Sequence, residues 1–384
     1  MIKEKISPIV YILCLYILCI YFINDKYLGI TQYYYFPLLM IGFFIIELIL
    51  GEKIKFDLNH LVILLLIIFV SIKTVVLRGS INTGIIFSYL LQMILYLVLT
   101  MKKFNKKETK YIVNTYILSA LIISFIIVIF RNPVEGWTGF YRYTIRVYNG
   151  EYVDPNFLAS FMLMPAFIIF NRCFYVNNRL ISFLIFIITS FGIFMTGSRA
   201  AIIVLIFGVF LILSNYIKIN LRKMIYLSIG IICILILMKL FVPEELINRV
   251  FFRSYSDGSN SRRISNWIMG IKCFIKSPIV GLEFWNSPEL LNYYMDYNHA
   301  IHNTFLVFLN HFGALGCSLI IILLGNILFF LLKGKDKVLI GSFVGLLVTS
   351  VIIEQNYSIT FWLILVMLKI LEDSNYAFEE NNIE

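Results

Sequence analysis

The run Tyr111 to Phe130 reads YIVNTYILSALIISFIIVIF, twenty residues without a charge, with Lys110 just before it and Arg131 just after it. A helix rises about 1.5 Å per residue, so this run matches the ~30 Å hydrocarbon core of a bilayer. Comparable runs lie on both sides of it. They occupy 7–24, 31–50, 58–77, 81–100, 155–171, 180–196, 199–214, 223–242, 313–333, 338–353 and 357–371, which makes twelve expected spans in all. Composition agrees: of 384 residues 60% are apolar and 14% are charged, with mean hydropathy +0.88. Soluble domains carry roughly 25% charged residues, and this many apolar side chains cannot be hidden from water in a soluble core. Disorder, coiled coil, collagen and a disulfide scaffold are excluded as overall descriptions. The start, MIKEKISPIV, has the basic opening of a signal peptide but no small-residue cleavage site after it, so it is expected to remain as the first span. The expected fold is an all-α polytopic membrane protein, a single domain over 1–384, with no internal repeat.

Charge sets the expected orientation. With the N-terminus inside, seventeen of the 32 basic residues fall in inner segments, and fourteen of those are lysine. This is the bias expected of cytoplasmic loops, and it places both termini in the cytoplasm. The net charge of +10 is therefore sorted by membrane side and does not point to nucleic acid. Nine of the twelve arginines fall outside: Arg78, Arg131, Arg142, Arg146, Arg199, Arg249, Arg253, Arg262 and Arg263. Guanidinium groups bind phosphate through two parallel hydrogen bonds, so an outer arginine cluster suggests an anionic ligand; lipid headgroups are the plainer alternative.

Two outer loops exceed connector length, 131–154 and 243–312. Within the second, Ile264, Trp267, Ile268, Ile271, Phe274 and Ile275 repeat at helical spacing, ended by Pro278 and Gly281. This predicts an amphipathic helix that lies on the outer membrane surface or covers the bundle. A second stripe, Ile301, Phe305, Phe308, Leu309 and Phe312, predicts a short helix ahead of the tenth span.

Four motifs could carry chemistry. Thr196-Gly197-Ser198-Arg199 falls at a tight helix junction, with Arg199 near a helix N-terminus that already favours anions; the plainer reading is an arginine reaching for headgroups. Arg263 lies one turn before Trp267 and is followed by Ser277-Pro278-x-x-Gly281. His302-Asn303 opens the second short helix, and histidine is the side chain best suited to take a proton near neutral pH. Asp154-Pro155-Asn156 starts the sixth span and reads equally as a simple N-cap. Asp296, His299 and His302 are spaced by three, but no second pair accompanies them and no metal is expected. The six cysteines suggest neither a disulfide nor a metal site. Glu47 and Lys73, deep in adjacent spans, could pair with each other.

Gly197-Ser198-Arg199, Arg263-x-x-x-Trp267, Ser277-Pro278-x-x-Gly281 and His302-Asn303-Thr304-Phe305-Leu306 followed by Gly313-x-x-Gly316 resemble, in kind and order, the O-antigen ligase and surface-polysaccharide polymerase family of bacteria. The resemblance runs from Asp154 to Gly316. It implies a GT-C-like, metal-independent glycosyltransferase of the inner membrane that needs no cofactor, with its site on the extracytoplasmic side. The donor would be a glycan on polyprenyl pyrophosphate, usually undecaprenyl pyrophosphate. The acceptor would be another lipid-linked glycan (an O-antigen or capsule polymerase, the favoured reading) or lipid A core (a ligase). The resemblance assigns pyrophosphate binding to Arg199 and Arg263 and the role of base to His302. Asp154, Asn156, Ser198, Arg262, Trp267 and Asn303 are further candidate substrate contacts. Arg262 is adjacent to Arg263, and the spacing to Trp267 favours the latter. A chain-length regulator is a candidate partner besides donor, acceptor and bilayer. A flippase for the lipid-linked glycan is the alternative of another class; it suits twelve spans but not the absence of repeat symmetry or the placing of the polar groups in loops.

The orientation is testable by labelling intact cells with a membrane-impermeant thiol reagent. Ser259→Cys should react and Lys335→Cys should not; the reverse pattern would invert the topology.

Overall fold

The computed structural model describes residues 6–22, 32–76, 82–135, 141–146, 150–174, 179–216, 243–248, 250 and 259–374. The expected ninth span at 223–242, and with it Arg78, Arg249 and Arg253, lies outside the described residues. Every other expected span contains a helix: α1 (Pro8–Cys19), α2 (Gln32–Ile49), α3 (Leu58–Val76), α4 (Thr83–Met101), α5 (Lys106–Phe130), α6 (Pro155–Arg172), α7 (Arg179–Met195), α8 (Arg199–Tyr216), α12 (Thr304–Gly334), α13 (Lys337–Ile352) and α14 (Ile359–Asp373). Five of the described helices, α3, α4, α5, α8 and α12, are long and apolar enough to cross a membrane by length and composition. The turn α9 (Glu244–Ile247) and the helices α10 (Ser259–Phe274) and α11 (Ser287–Met295) lie between α8 and α12. The chain is not wholly helical. Loop 131–154 carries an antiparallel pair, β1 (Asn132–Glu135) and β2 (Tyr141–Thr144), with Asn132 opposite Thr144 and Glu135 opposite Tyr141. In a polar loop, pairing with a second strand satisfies backbone groups that no helix would.

Helix starts follow local chemistry. Ser7 caps α1 with Pro8 at the first helical position. Asn105 and Glu108 form a reciprocal capping box on α5. Asp154 caps α6 ahead of Pro155, and Asp336 caps α13. Each side-chain oxygen takes up an N–H that the first turn leaves without a partner. Helices α6 and α14 are buried almost all round, the pattern of central helices. Helix α6 packs on α5, α7, α8, α13 and α14. Its approach to α8 is close: a Cβ on Gly208 would stand 2.2 Å from the Phe167 ring. Small residues let membrane helices pack at such range.

Intramembrane charges are tied down, but not as the sequence suggested. Glu47 does not meet Lys73. It accepts from Lys102 Nζ at 2.7 Å and from the Ser7 hydroxyl, at the bundle end where α3, α5 and α13 begin. Lys73 instead donates to the carbonyls of Leu282 (2.6 Å) and His311, and lies over the Phe284 ring.

Those carbonyls mark the main departure from regular structure. The expected short helix and tenth span are one element, α12, broken at Gly313 (φ 60, ψ −169). Segment 277–282 inserts at the break. Leu282 N donates to Asn310 O (2.6 Å), Ala314 N to Pro278 O (2.8 Å) and Leu315 N to Ile279 O (3.1 Å). Ser277-Pro278-Ile279-Val280-Gly281 therefore supplies partners that the missing helical turn would have supplied. Gly281 (φ +76) and Gly313 touch backbone to backbone. A Cβ on Gly313 would stand 2.3 Å from Ile279 O, and one on Gly281 would stand 2.6 Å from Gly313 N.

Gly313→Ala should therefore cost at least ~3 kcal/mol, strained φ and backbone clash together. Gly325 lies on the same helix with nothing within 4 Å of its Cβ position, so Gly325→Ala should be neutral or stabilising. Thermal unfolding of both purified variants in one detergent checks this; equal melting points would contradict it.

Candidate functional site

The candidate residues collect at the bundle end where α6, α8 and α12 begin, called the mouth below. Two assemblies meet there.

The first surrounds the α7–α8 turn. Gly197 takes φ +62, which lets the chain reverse between two packed helices. Thr196 Oγ1 donates to Ile193 O (2.6 Å) and accepts from Ser198 N (3.3 Å). Ser198 O receives the first helical bond, from Ile202 N, so Ser198 occupies the cap position of α8. Its hydroxyl is buried and has no hydrogen-bond partner among the described residues. Arg199 is the first residue of α8 and is half-buried.

Strand β2 brings Arg142 onto this turn. Arg142 Nε donates to Thr196 O (2.9 Å) and its Nη2 donates to Asn156 Oδ1 (2.8 Å). Asp154 Oδ1 accepts from Asn156 N (2.7 Å) and Nδ2 (2.9 Å). One guanidinium thus ties the hairpin, the start of α6 and the start of α8 together. Burial lowers the proton affinity of Arg142. The Asp154 carboxylate opposes that shift, and the charges of Arg263 and Arg199 add to it. Three arginines therefore share one electrostatic neighbourhood, where like charges raise each other's energy unless an anion joins them.

The second assembly joins α10 to the segment before α12. Asn266 Nδ2 donates to Ala300 O (2.6 Å), and Tyr297 OH donates to Asn266 Oδ1 (2.6 Å). Arg263 is on the same face of α10 as Asn266, nearly one turn earlier, and is half-buried, while Arg262 is exposed. The Trp267 side chain packs beside Cys273, Leu290 and Ile301, and its Nε1 is buried with no hydrogen-bond partner among the described residues. His302 does not open the helix. Asn303 is the N-cap, its Oδ1 accepting from Phe305 N and Leu306 N. His302 sits outside the helix with an exposed ring and φ +53, a conformation that is costly without glycine and frequent at working sites.

Glu354 holds that conformation. Its Oε1 accepts from His302 N (2.7 Å) and from Ser287 Oγ (2.6 Å), and Ser287 Oγ also accepts from Ile301 N (3.1 Å). Thr304 binds the same loop, giving both N–H and hydroxyl to Ile353 O. The loop returns to α6, since Gln355 Nε2 reaches Ser160 Oγ at 3.5 Å and Ser160 meets Thr349 at 2.9 Å. His302 and Arg142 are thus fastened to the same end of α6 by separate chains of contacts. Among the described residues no three His, Cys, Asp or Glu side chains converge as a metal site would require; the His299 ring packs on Tyr297 instead.

Arg142 and Glu354 carried no motif. Arg142 was one of nine outer arginines. Glu354 follows His302 by 52 residues, with two helices, α12 and α13, between them. Asp154 and Asn303 have structural work as caps, and Asn156 as the acceptor for Arg142.

The mouth, then, gathers three arginines at one end of a helical bundle in which five described helices are long and apolar enough to cross a membrane. Residues 184–321 match the family model described as O-antigen ligase. That stretch, 138 of the 384 residues, contains Ser198, Arg199, Arg263, Trp267, His302 and the Gly281–Gly313 contact, so over this part the chain is similar to that family. No curated protein matches the chain.

Arg142 offers a test of how the mouth is built. Lysine cannot bridge Thr196 O and Asn156 Oδ1 in the planar geometry of a guanidinium. Arg142→Ala should cost ~1–3 kcal/mol through the acceptors it leaves short of donors, and Arg142→Lys should cost less. Glycan transfer should fall in both. Wild-type unfolding and transfer in both variants would show that the bridge is dispensable.

Proposed function

We propose that the mouth transfers a glycan from polyprenyl pyrophosphate, the undecaprenyl form in particular, to another lipid-linked glycan, as an O-antigen or capsule polymerase does. The observation that carries this reading is the shared neighbourhood of Arg142, Arg199 and Arg263 beside the unpartnered Ser198 hydroxyl. Cations gathered with a spare donor at a helix N-terminus suit a pyrophosphate. Arg199 and Arg263 neutralise the charge that grows on the pyrophosphate as its bond to the anomeric carbon breaks. The acceptor hydroxyl attacks that carbon from the other side, and its proton passes to His302. The new glycosidic bond replaces the sugar–phosphate bond, and polyprenyl pyrophosphate leaves with the electron pair. Glu354 acts on His302 through the backbone, as a positioning residue. Trp267 and Arg262 remain candidate substrate contacts. No metal or cofactor enters this scheme. The mouth faces away from the cytoplasm and both termini lie within it, as the lysine distribution supports. A chain-length regulator would act as a partner of the polymerase. The description of the matched family favours a second reading, a ligase with lipid A core as acceptor. Product length on a gel separates the two, since a polymerase gives a ladder from repeat units alone.

The base role is tested by single-turnover transfer from a lipid-linked donor. His302→Ala should slow the chemical step by roughly 10²–10⁴-fold and change donor affinity little. His302→Asn is the companion variant, because asparagine tolerates positive φ. His299→Ala should stay near wild type, and chelators should have no effect. Wild-type transfer by His302→Asn would remove the base role; equal losses at His299 and His302 with chelator inhibition would replace it with a metal.

A further inference from the structure

The stripe read from the sequence of α10 divides into two faces. Asn266, Gly270 and Cys273 are buried. Asn310 Nδ2 donates to Gly270 O at 3.0 Å, and a Cβ on Gly270 would stand 3.3 Å from Ile301. This fixes which way the helix is turned. The opposite face carries Ile264, Ile268, Ile271 and Ile275, all between 47% and 64% exposed. Spacings of four, three and four align them in one row. The row continues past the helix end into Ile279 and Val280, which are also exposed. Six branched apolar residues in a line form a patch that a water-facing surface rarely carries.

Two observations say what covers the patch. First, it runs on from a membrane span. Leu315 N donates to Ile279 O, and Leu315 (53% exposed) begins the apolar outer face of α12 that continues through Ile321 and Ile322. Helix α12 (Thr304–Gly334) is long and apolar enough to cross a bilayer, so the exposed side chains of its spanning part face lipid. The isoleucine row extends that lipid-facing surface without a polar gap at Ile279. Second, Lys272 and Lys276 are exposed and lie beside the row rather than in it, where an interfacial helix keeps its charges at the headgroups.

We propose that the row Ile264, Ile268, Ile271, Ile275, with Ile279 and Val280, is immersed in the lipid leaflet at the mouth of the bundle, with Lys272 and Lys276 among the lipid phosphates. The helix is a monotopic float attached to a polytopic bundle. It needs no donor and no chemistry, so it stands or falls apart from the transfer reaction.

The test uses the wild-type chain in nanodiscs of phosphatidylcholine and phosphatidylglycerol, doped with a phosphatidylcholine bearing a diazirine in its acyl chain. After irradiation, peptide mapping should find lipid adducts on Ile264, Ile268, Ile271, Ile275 and Ile279 as well as on the 315–322 segment, and none on Asn266, Gly270 or Cys273. An Ile268→Asp/Ile275→Asp double variant should lose the adducts of 264–280 and keep those of 315–322. Adducts on 315–322 with none on 264–280 in the wild type would overturn the proposal. Crosslinks from the row to a second polypeptide in place of lipid would overturn it equally.

Discussion

A bilayer allows no unpaired backbone, and the break in α12 is where this chain meets that constraint most sharply. At Gly313 the helix stops supplying its own hydrogen bonds, and segment 277–282 supplies them, with Lys73 holding His311 O and Leu282 O together. Much else follows from this splice. It anchors the loop after α10 beside the first half of α12, whose cap is Asn303 and whose preceding residue is His302. It fixes the exit of α10, and so the face of that helix that carries Arg263. His311, next to the break, spans from the hydroxyl of Tyr89 on α4 (2.8 Å) to Trp285 O (2.8 Å). The broken helix is thus pinned to α3, α4 and the mouth loop at once.

The mouth opposes this rigidity with electrostatic tension. Arg142 is held by two neutral acceptors, Thr196 O and Asn156 Oδ1, while Arg199 and Arg263 repel it. Neutral hydrogen bonds fix the guanidinium's place, and the nearby Asp154 carboxylate offsets part of the repulsion. On the proposed reading, an anionic ligand would meet cations already held in place. Glu354 has a parallel part on the other side, spending its carboxylate on the His302 backbone N–H and the Ser287 hydroxyl.

The legible part of the sequence was the part written in local patterns. Uncharged runs near twenty residues located the helices, and caps such as Asn105 with Glu108 marked where they start. The period of α10 was plain too, but the six-residue stripe mixed two faces: Trp267 packs inward and the isoleucines face outward, and a period alone cannot say which neighbour a helix meets. Ser277-Pro278-x-x-Gly281 stood among the candidate motifs and read as the end of α10; its work is to repair α12, 32 residues on at Gly313. The pairing of Glu47 with Lys73 failed because proximity in adjacent spans says nothing about depth, and the two belong to opposite ends of the bundle. Arg142 and Glu354 were hidden for the same reason, each defined by partners far along the chain. The hairpin at 132–144 escaped because four-residue strands in a polar loop leave almost no alternation to read.

The central claim is that the mouth holds a pyrophosphate through its arginines, separately from the histidine. The most direct measurement is the affinity of the purified protein for polyprenyl pyrophosphate and for polyprenyl monophosphate, in wild type and in Arg199→Lys, Arg263→Lys and His302→Asn. Preference for the pyrophosphate in wild type and His302→Asn, lost in both arginine variants, is the expected result. Equal affinity for the two lipids, or a preference untouched by the arginine replacements, would contradict it.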